Sequence, residues 1–186
     1  MARNVKGVLF LDYVRMIRSV KGVDWSKTLA QEDLTYLVQK IAHDEWYPMA
    51  TFERLGNAIL REVAGDDLTA VRMWGRSSVA ALCAANPLLV AKGNPVESLM
   101  RFRVLRSTYF DFEALDIPML IEDHAHVVIR YHMGTTAEEA ASYQTMGFFE
   151  GLLDAAGAGD VRARFEERCW AGDARTLLEL LWSGGG

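Results

Sequence analysis

The sequence predicts an α+β fold in which a helical layer packs on a four-stranded antiparallel sheet, in the order helices-β-β-α-β-β. Three observations carry this prediction. Apolar residues recur at helical spacing through roughly the first hundred residues. The period then changes to two in "TYFDFEAL" and "HAHVVIRYH". A long apolar helix follows, and behind it a second alternating pair, "VRARFE" and "RTLLELLW". Strands that arrive as two hairpins most simply form one antiparallel sheet with helices on a face.

Taken in order, Val8, Leu9, Tyr13, Met16, Ile17 and Val20 mark the buried stripe of a first helix, with Asp12, Arg15 and Arg18 on other faces. Gly22 supplies a turn, and a short helix runs from about Gln31 to His43. Pro48 suits the first turn of the next helix, where a missing amide costs nothing; Met49, Phe52, Leu55, Ile59, Leu60 and Val63 are its stripe, and Gly65 ends it. Asp66 or Asp67 caps "LTAVRMWGRSSVAALCAA", which stops before Pro87. Gly56 and Gly75 sit inside these helices, each at a cost of about 1 kcal/mol against alanine, so close helix contact is expected as compensation. Pro95 opens a helix through about Arg106. "TYFDFEAL" and "HAHVVIRYH" are expected to pair, with "DIPMLIED" as their connection. The long helix spans Thr136 to Ala156, capped by Thr135 or Thr136, with Glu138 and Glu139 in its first turn. "GAGD" and "AGDA" are the remaining turns.

The 186 residues fit one domain, expected over 1–183, with the glycines at 184–186 as a flexible tail. Apolar residues are 51% of the chain and charged residues 24%, as in an ordinary globular protein. A net charge of −5 and a pI near 5.4 give no positive field to hold a phosphate backbone, so nucleic acid is not an expected partner. The basic stretch "MRFRVLRS" is flanked by Glu97 and by "YFDFE" and reads as a solvated face. Cys83 and Cys169 belong to no metal-binding or disulfide pattern, which suits a cytoplasmic location. The opening "VLFL" is broken by Asp12 and Arg15, too short for a signal-peptide core, and no window is long enough for a membrane span.

No G-x-S-x-G, no phosphate-cradling glycine loop and no His-Glu-x-x-His occurs, which weighs against an enzyme. Cys83 reads as a core residue on its helix, and Cys169 ends a strand beside Trp170. In "EDHAHVVIRYH" an extended chain would send His124, His126 and His132 to one face, and a His-x-His pair on a strand suits a divalent metal. The plainer reading is a solvated strand edge. A haem site would need an axial ligand and an apolar pocket; His43, near Trp46, Tyr47 and Met49, is the residue one could imagine there, but haem is not the expectation. Gly147 and Gly151 share one face of the long helix and allow close approach of a neighbouring element; packing is the plainer reading, a ligand slot the sharper one. Phe148 and Phe149 are adjacent and cannot both face one side, which leaves one for a pocket or interface.

The stretches "VKGVLFLDYVRMIRS", "WYPMATFERLGNAIL", "VRMWGRSSV", "GNPVESLMRFRVLRSTYFDFEALD" and "GFFEGLLDAAGAGDVRARFEERCWAGDARTLLELLW" resemble a paralogous family of uncharacterised myxobacterial proteins over nearly the whole chain. More distantly, "GFFEGLLDAAGAGDVRARFEERCWAGD" is similar to the closing pattern of the 4-vinyl reductase type domain, through Gly147, Gly151, Glu167, Cys169 and Gly172. That domain's second cysteine is replaced here by "DART". The resemblance implies a fold related to haem-nitric-oxide-binding proteins and to trafficking subunits of the TRAPP kind, many of which bind small apolar ligands or pair as dimers. The Tyr-x-Ser-x-Arg signature that holds the haem propionates in the nitric-oxide-binding relatives is absent.

The resulting expectation is a noncatalytic, dimeric ligand-binding or regulatory module with no assignable cofactor. Its ligand space is expected to lie between the long helix, at Met146, Gly147, Phe149, Gly151 and Leu153, and the preceding helices, at Phe52 and Trp74. The alternatives are a structural protein-interaction subunit and a metal-binding sensor or enzyme built on the histidine strand.

Overall fold

A computed structural model describes residues 2–184, so of the expected glycine tail Gly185 and Gly186 lie outside the described residues. The chain divides into two compact units, one running to Asp67 with Ser107–Phe112 added, the other formed by Leu68–Arg106 and the residues from Glu113 onward.

The first unit holds β1 (Asn4–Lys6), α1 (Gly7–Ser19), α2 (Gln31–Val38), β2 (Trp46–Pro48) and α3 (Met49–Glu62). β1 and β2 pair antiparallel, with Val5 opposite Tyr47. Residues 107–112 belong here because they line β1 on its other side: Lys6 N–H donates to the Tyr109 carbonyl at 2.8 Å, and both the amide and the side chain of Asn4 donate to the Asp111 carboxylate at 2.7 Å. "TYFDF" is therefore not a strand of the main sheet, as its alternation suggested. Its partner is a three-residue strand too short to show a period of its own.

Helix α1 buries Phe10, Leu11, Val14 and Ile17, whereas Val8, Leu9, Tyr13 and Met16 are half-buried. Its stripe is thus rotated from the expected one, because Phe10 stacks on Tyr47 at 4.5 Å and is edge-on to Tyr36 at 5.1 Å. Helix α3 buries the expected Met49, Phe52, Leu55, Ile59 and Leu60, while Val63 is its half-buried C-cap. Pro48 stands one place earlier than expected, as the N-cap with extended backbone. Between α2 and α3 lies a charged pair. Arg54 donates from Nε and a terminal nitrogen to the two oxygens of Asp33, each at 2.7 Å, and Asp33 is fully buried.

The second unit holds α4 (Leu68–Ala85), α5 (Pro95–Leu105), β3 (Leu115–Leu120), β4 (His124–Ile129), α6 (Thr135–Ala155), β5 (Gly159–Glu167) and β6 (Thr176–Ser183). Its sheet has the order β3-β4-β6-β5 with every neighbouring pair antiparallel, the α+β sheet that the sequence predicts. The first strand of the first hairpin is shifted along the chain: β3 joins Leu115, the end of the expected strand, to "DIPML", expected as part of the connection. Pro118 argues against a central strand, but β3 is an edge, and the register shifts by a bulge between Asp116 and Met119, where a residue without an amide is tolerated.

Ala125, Val127, Leu178 and Leu180 are fully buried and face α6, which fully buries Phe149, Leu152 and Leu153. Helix α6 is buried on more than one side because α4 runs along it opposite the sheet. Asn94 caps α5 by accepting from Glu97 N–H at 2.9 Å. Gly134, not a threonine, is the N-cap of α6. Among the described residues no helix is long and apolar enough to cross a membrane.

Candidate functional site

Three arrangements in the second unit bear on function. The first is the α4–α6 contact. A Cβ placed on Gly75 would fall 1.8 Å from the Gln144 carbonyl oxygen, and one on Gly147 would fall 1.8 Å from that of Arg72. At Gly151 the carbonyl of Arg76 would be 2.7 Å away. The glycine face is thus filled by the backbone of α4, which only residues without side chains permit. Two ion pairs flank the seam. Arg72 holds the buried Glu150, with Nε donating to Oε2 at 2.8 Å, and Arg76 pairs with Asp154.

The second arrangement is the loop that enters α6. Glu138 is 4% exposed, and its carboxylate accepts from the amides of Tyr131 at 3.0 Å and Met133 at 2.8 Å. The Tyr131 hydroxyl and the Thr145 hydroxyl share a hydrogen bond of 2.6 Å, and burial pushes the Tyr131 phenol well above its ordinary value. Thr145 in turn donates to the Ala141 carbonyl at 2.8 Å.

The third lies on the sheet face turned away from α6. His124 and His126 are two apart on β4, so they share that face, and their rings meet edge-to-face at 4.9 Å. Glu179 on β6 stands directly opposite His126 in the ladder. Its Oε1 is 3.1 Å from His124 Nε2. That nitrogen is buried, with the carboxylate as its close neighbour. On the far side Arg164 of β5, which faces Glu179 across the ladder, donates from Nε to Oε2. The Arg164 guanidinium, ahead of the opposing effect of burial, holds the Glu179 carboxyl below its ordinary value.

His132 does not join this pair. β4 ends at Ile129, and His132 has φ 56°, so the extended spacing that would carry it to the same face stops short of it. His43 is an exposed turn residue of the first unit, its carbonyl accepting from Val8 N–H at 3.0 Å. Of the residues expected to line a ligand space, Phe52 belongs to the first unit, where it stacks on Tyr13 at 4.2 Å. Trp74, Met146, Gly147, Phe149, Gly151 and Leu153 belong to the second. Met146, Phe149 and Leu153 are buried and Trp74 is half-buried. Phe149 is fully buried, Phe148 is half-buried, and both rings lie against Phe102 at 5.1 and 5.0 Å.

Cys83 is half-buried, not a core residue, and burial pushes its thiol up, away from the thiolate a nucleophile requires. Cys169 accepts a hydrogen bond from the Thr176 hydroxyl at 3.1 Å in the β5–β6 connection, where Gly172 has φ 104°. Sequence reasoning passed over Glu179, Arg164 and the backbone role of Glu138. Glu179 could have been noticed as the lone carboxylate inside the apolar run "TLLELLW".

No family model and no curated protein matches the chain. Solved structures do. The Fe(II) unliganded H-NOX protein of K. algicida is similar at a TM-score of 0.68 with 12% identity, covering 96% of each chain. The S. oneidensis H-NOX protein in its Fe(II)NO state is similar at 0.67 with 11% identity, over 96% of this chain and 99% of that one. A structure from a study of haem distortion in the H-NOX family is similar at 0.65 with 15% identity, over 97% and 96%. The chain is thus similar in fold, over nearly its whole length, to the H-NOX proteins.

Proposed function

We propose that this protein is a noncatalytic binding or regulatory module that uses the H-NOX fold to hold a small apolar ligand other than haem. The similar structures bind iron or haem by their own titles, which favours a ligand-holding role for the fold. The residues of this chain do not fit haem. Haem needs an axial ligand presented from an apolar wall. His43 and His132 are exposed, and His124 and His126 sit beside a carboxylate on a sheet face. No tyrosine opens a Tyr-x-Ser-x-Arg sequence; at Tyr131–Thr135 the chain reads Tyr-His-Met-Gly-Thr.

The observation that carries the reading is the bonding of that segment to α6. The chain's own Glu138 carboxylate takes the amides of Tyr131 and Met133, and the tyrosine hydroxyl is bonded to Thr145. These backbone donors are thus already taken by the chain's own carboxylate, and no arginine lies within Tyr131–Thr135. Pairing with a second copy is part of the proposal, as the means by which ligand occupancy would be passed on.

The test is native mass spectrometry of freshly purified protein, followed by haemin titration watched by visible absorption. Expected are a non-haem adduct on a dimer and no sharpened Soret band. Stoichiometric haem uptake with a ligand-field spectrum that responds to nitric oxide would overturn the proposal.

A further inference from the structure

We propose that His124, His126 and Glu179 form a binding site for a divalent zinc-class metal ion on the outer face of the sheet. The three side chains come from two neighbouring strands, and one potential ligand atom from each lies within 4.8 Å of the others. Ligands about 2 Å from a tetrahedral zinc ion are about 3.3 Å apart, so closing the site takes side-chain adjustment on a fixed backbone. That backbone is well held: β4 and β6 are the two central strands, and both imidazoles and the carboxylate project from a regular stretch of ladder.

The chemistry of the donors selects the ion. Two imidazoles with one carboxylate suit zinc and its first-row neighbours, and are a poor set for calcium or magnesium, which take oxygen ligands. Three protein ligands leave a fourth position for water. His124 Nε2 is itself buried and already lies 3.1 Å from Glu179 Oε1, so two of the three donors face each other where the ion would sit. Arg164, on the other carboxylate oxygen, fixes the orientation of Glu179 in the manner of an outer-shell partner. Met119 on β3 stands opposite His126 in the ladder.

This site is separate from the apolar ligand proposed above, and its failure would leave that reading standing. The experiment is equilibrium dialysis of chelator-treated full-length protein against zinc, with metal analysis, and against cobalt(II) with visible absorption reporting geometry. The result expected is one zinc per chain and an intense tetrahedral cobalt spectrum. Binding should weaken by at least about tenfold in His124→Ala and in the near-isosteric Glu179→Gln. His43→Ala and His132→Ala should bind as the parent does, and Arg164→Ala should still bind. Circular dichroism of each metal-free variant checks the fold, with His126→Gln replacing any variant that does not fold. No uptake by the parent protein, or uptake that survives loss of His124, His126 and Glu179 in turn, would overturn the proposal.

Discussion

Gly147 on α6 lies so close to Arg72 on α4 that a single added carbon would reach 1.8 Å from the Arg72 carbonyl oxygen, and Gly75 stands in the same relation to Gln144. The two helices are thus locked by a reciprocal backbone contact. Gly75→Ala and Gly147→Ala should each destabilise the protein by about 3 kcal/mol, because the clash is with backbone that cannot turn aside. Gly56→Ala is the control. There the new carbon meets only the ring edge of Tyr13 at 3.1 Å, and the gain in helix propensity, about 1 kcal/mol, offsets the crowding. Urea unfolding of the three variants measures the difference.

Arg54 is the counter-ion of a fully buried carboxylate. Arg54→Ala leaves Asp33 with only the Ala30 amide, at 3.3 Å, and should cost about 3 kcal/mol. Glu32 also pairs with Arg54, at 2.6 Å, but it is exposed, and Glu32→Ala should cost no more than about 0.5 kcal/mol. Thermal melts of both variants separate the buried partner from the exposed one.

Removal of the Glu138 side chain would leave the amides of Tyr131 and Met133 without their acceptor. At about 1–3 kcal/mol for each unsatisfied buried donor, Glu138→Ala should cost about 3 kcal/mol, and Glu138→Gln, which keeps one acceptor oxygen, about half of that. Amide exchange read by NMR should accelerate first at Tyr131 and Met133.

Glu179 should shape the acid limb of the stability curve. Its folded-state value lies below its unfolded one, chiefly through Arg164, so its contribution is fully present above the unfolded carboxylate value of about 4.3 and is lost as pH falls through the lower folded value. The urea midpoint of the parent should therefore fall on acidification below about pH 5. Glu179→Gln should show a shallower fall over the same range, and a slope equal to the parent's would refute the assignment.

How far these features could be read from the sequence depended on where each element's partners lay. Helix α4 coincides with its expected span, Leu68–Ala85, because local signals bound it. The glycine spacing of α6 announced a close approach, and the structure supplies the neighbour. Where the deciding partner is distant, the reading shifted. Phe10 turns inward in α1 because Tyr47 and Tyr36 meet it, and β1 and β2 are too short to carry a period. "DIPML" carried a proline whose tolerance depended on an edge position that only the sheet order reveals. In the proposed metal site the histidine pair was legible, but Glu179 lies 53 residues beyond His126, joined by the ladder alone.

Pro118 has a consequence for the crowded conditions in which a protein is made. A sheet four strands wide has two rims, and each is an invitation to a stray strand from another molecule. On β3 the proline removes a donor and the bulge breaks the rhythm of those that remain. On β5, Arg162, Arg164 and Glu166 set charges of both signs along the outward side. Replacing the proline should restore an amide donor at this rim and make the sheet readier to recruit a stray strand.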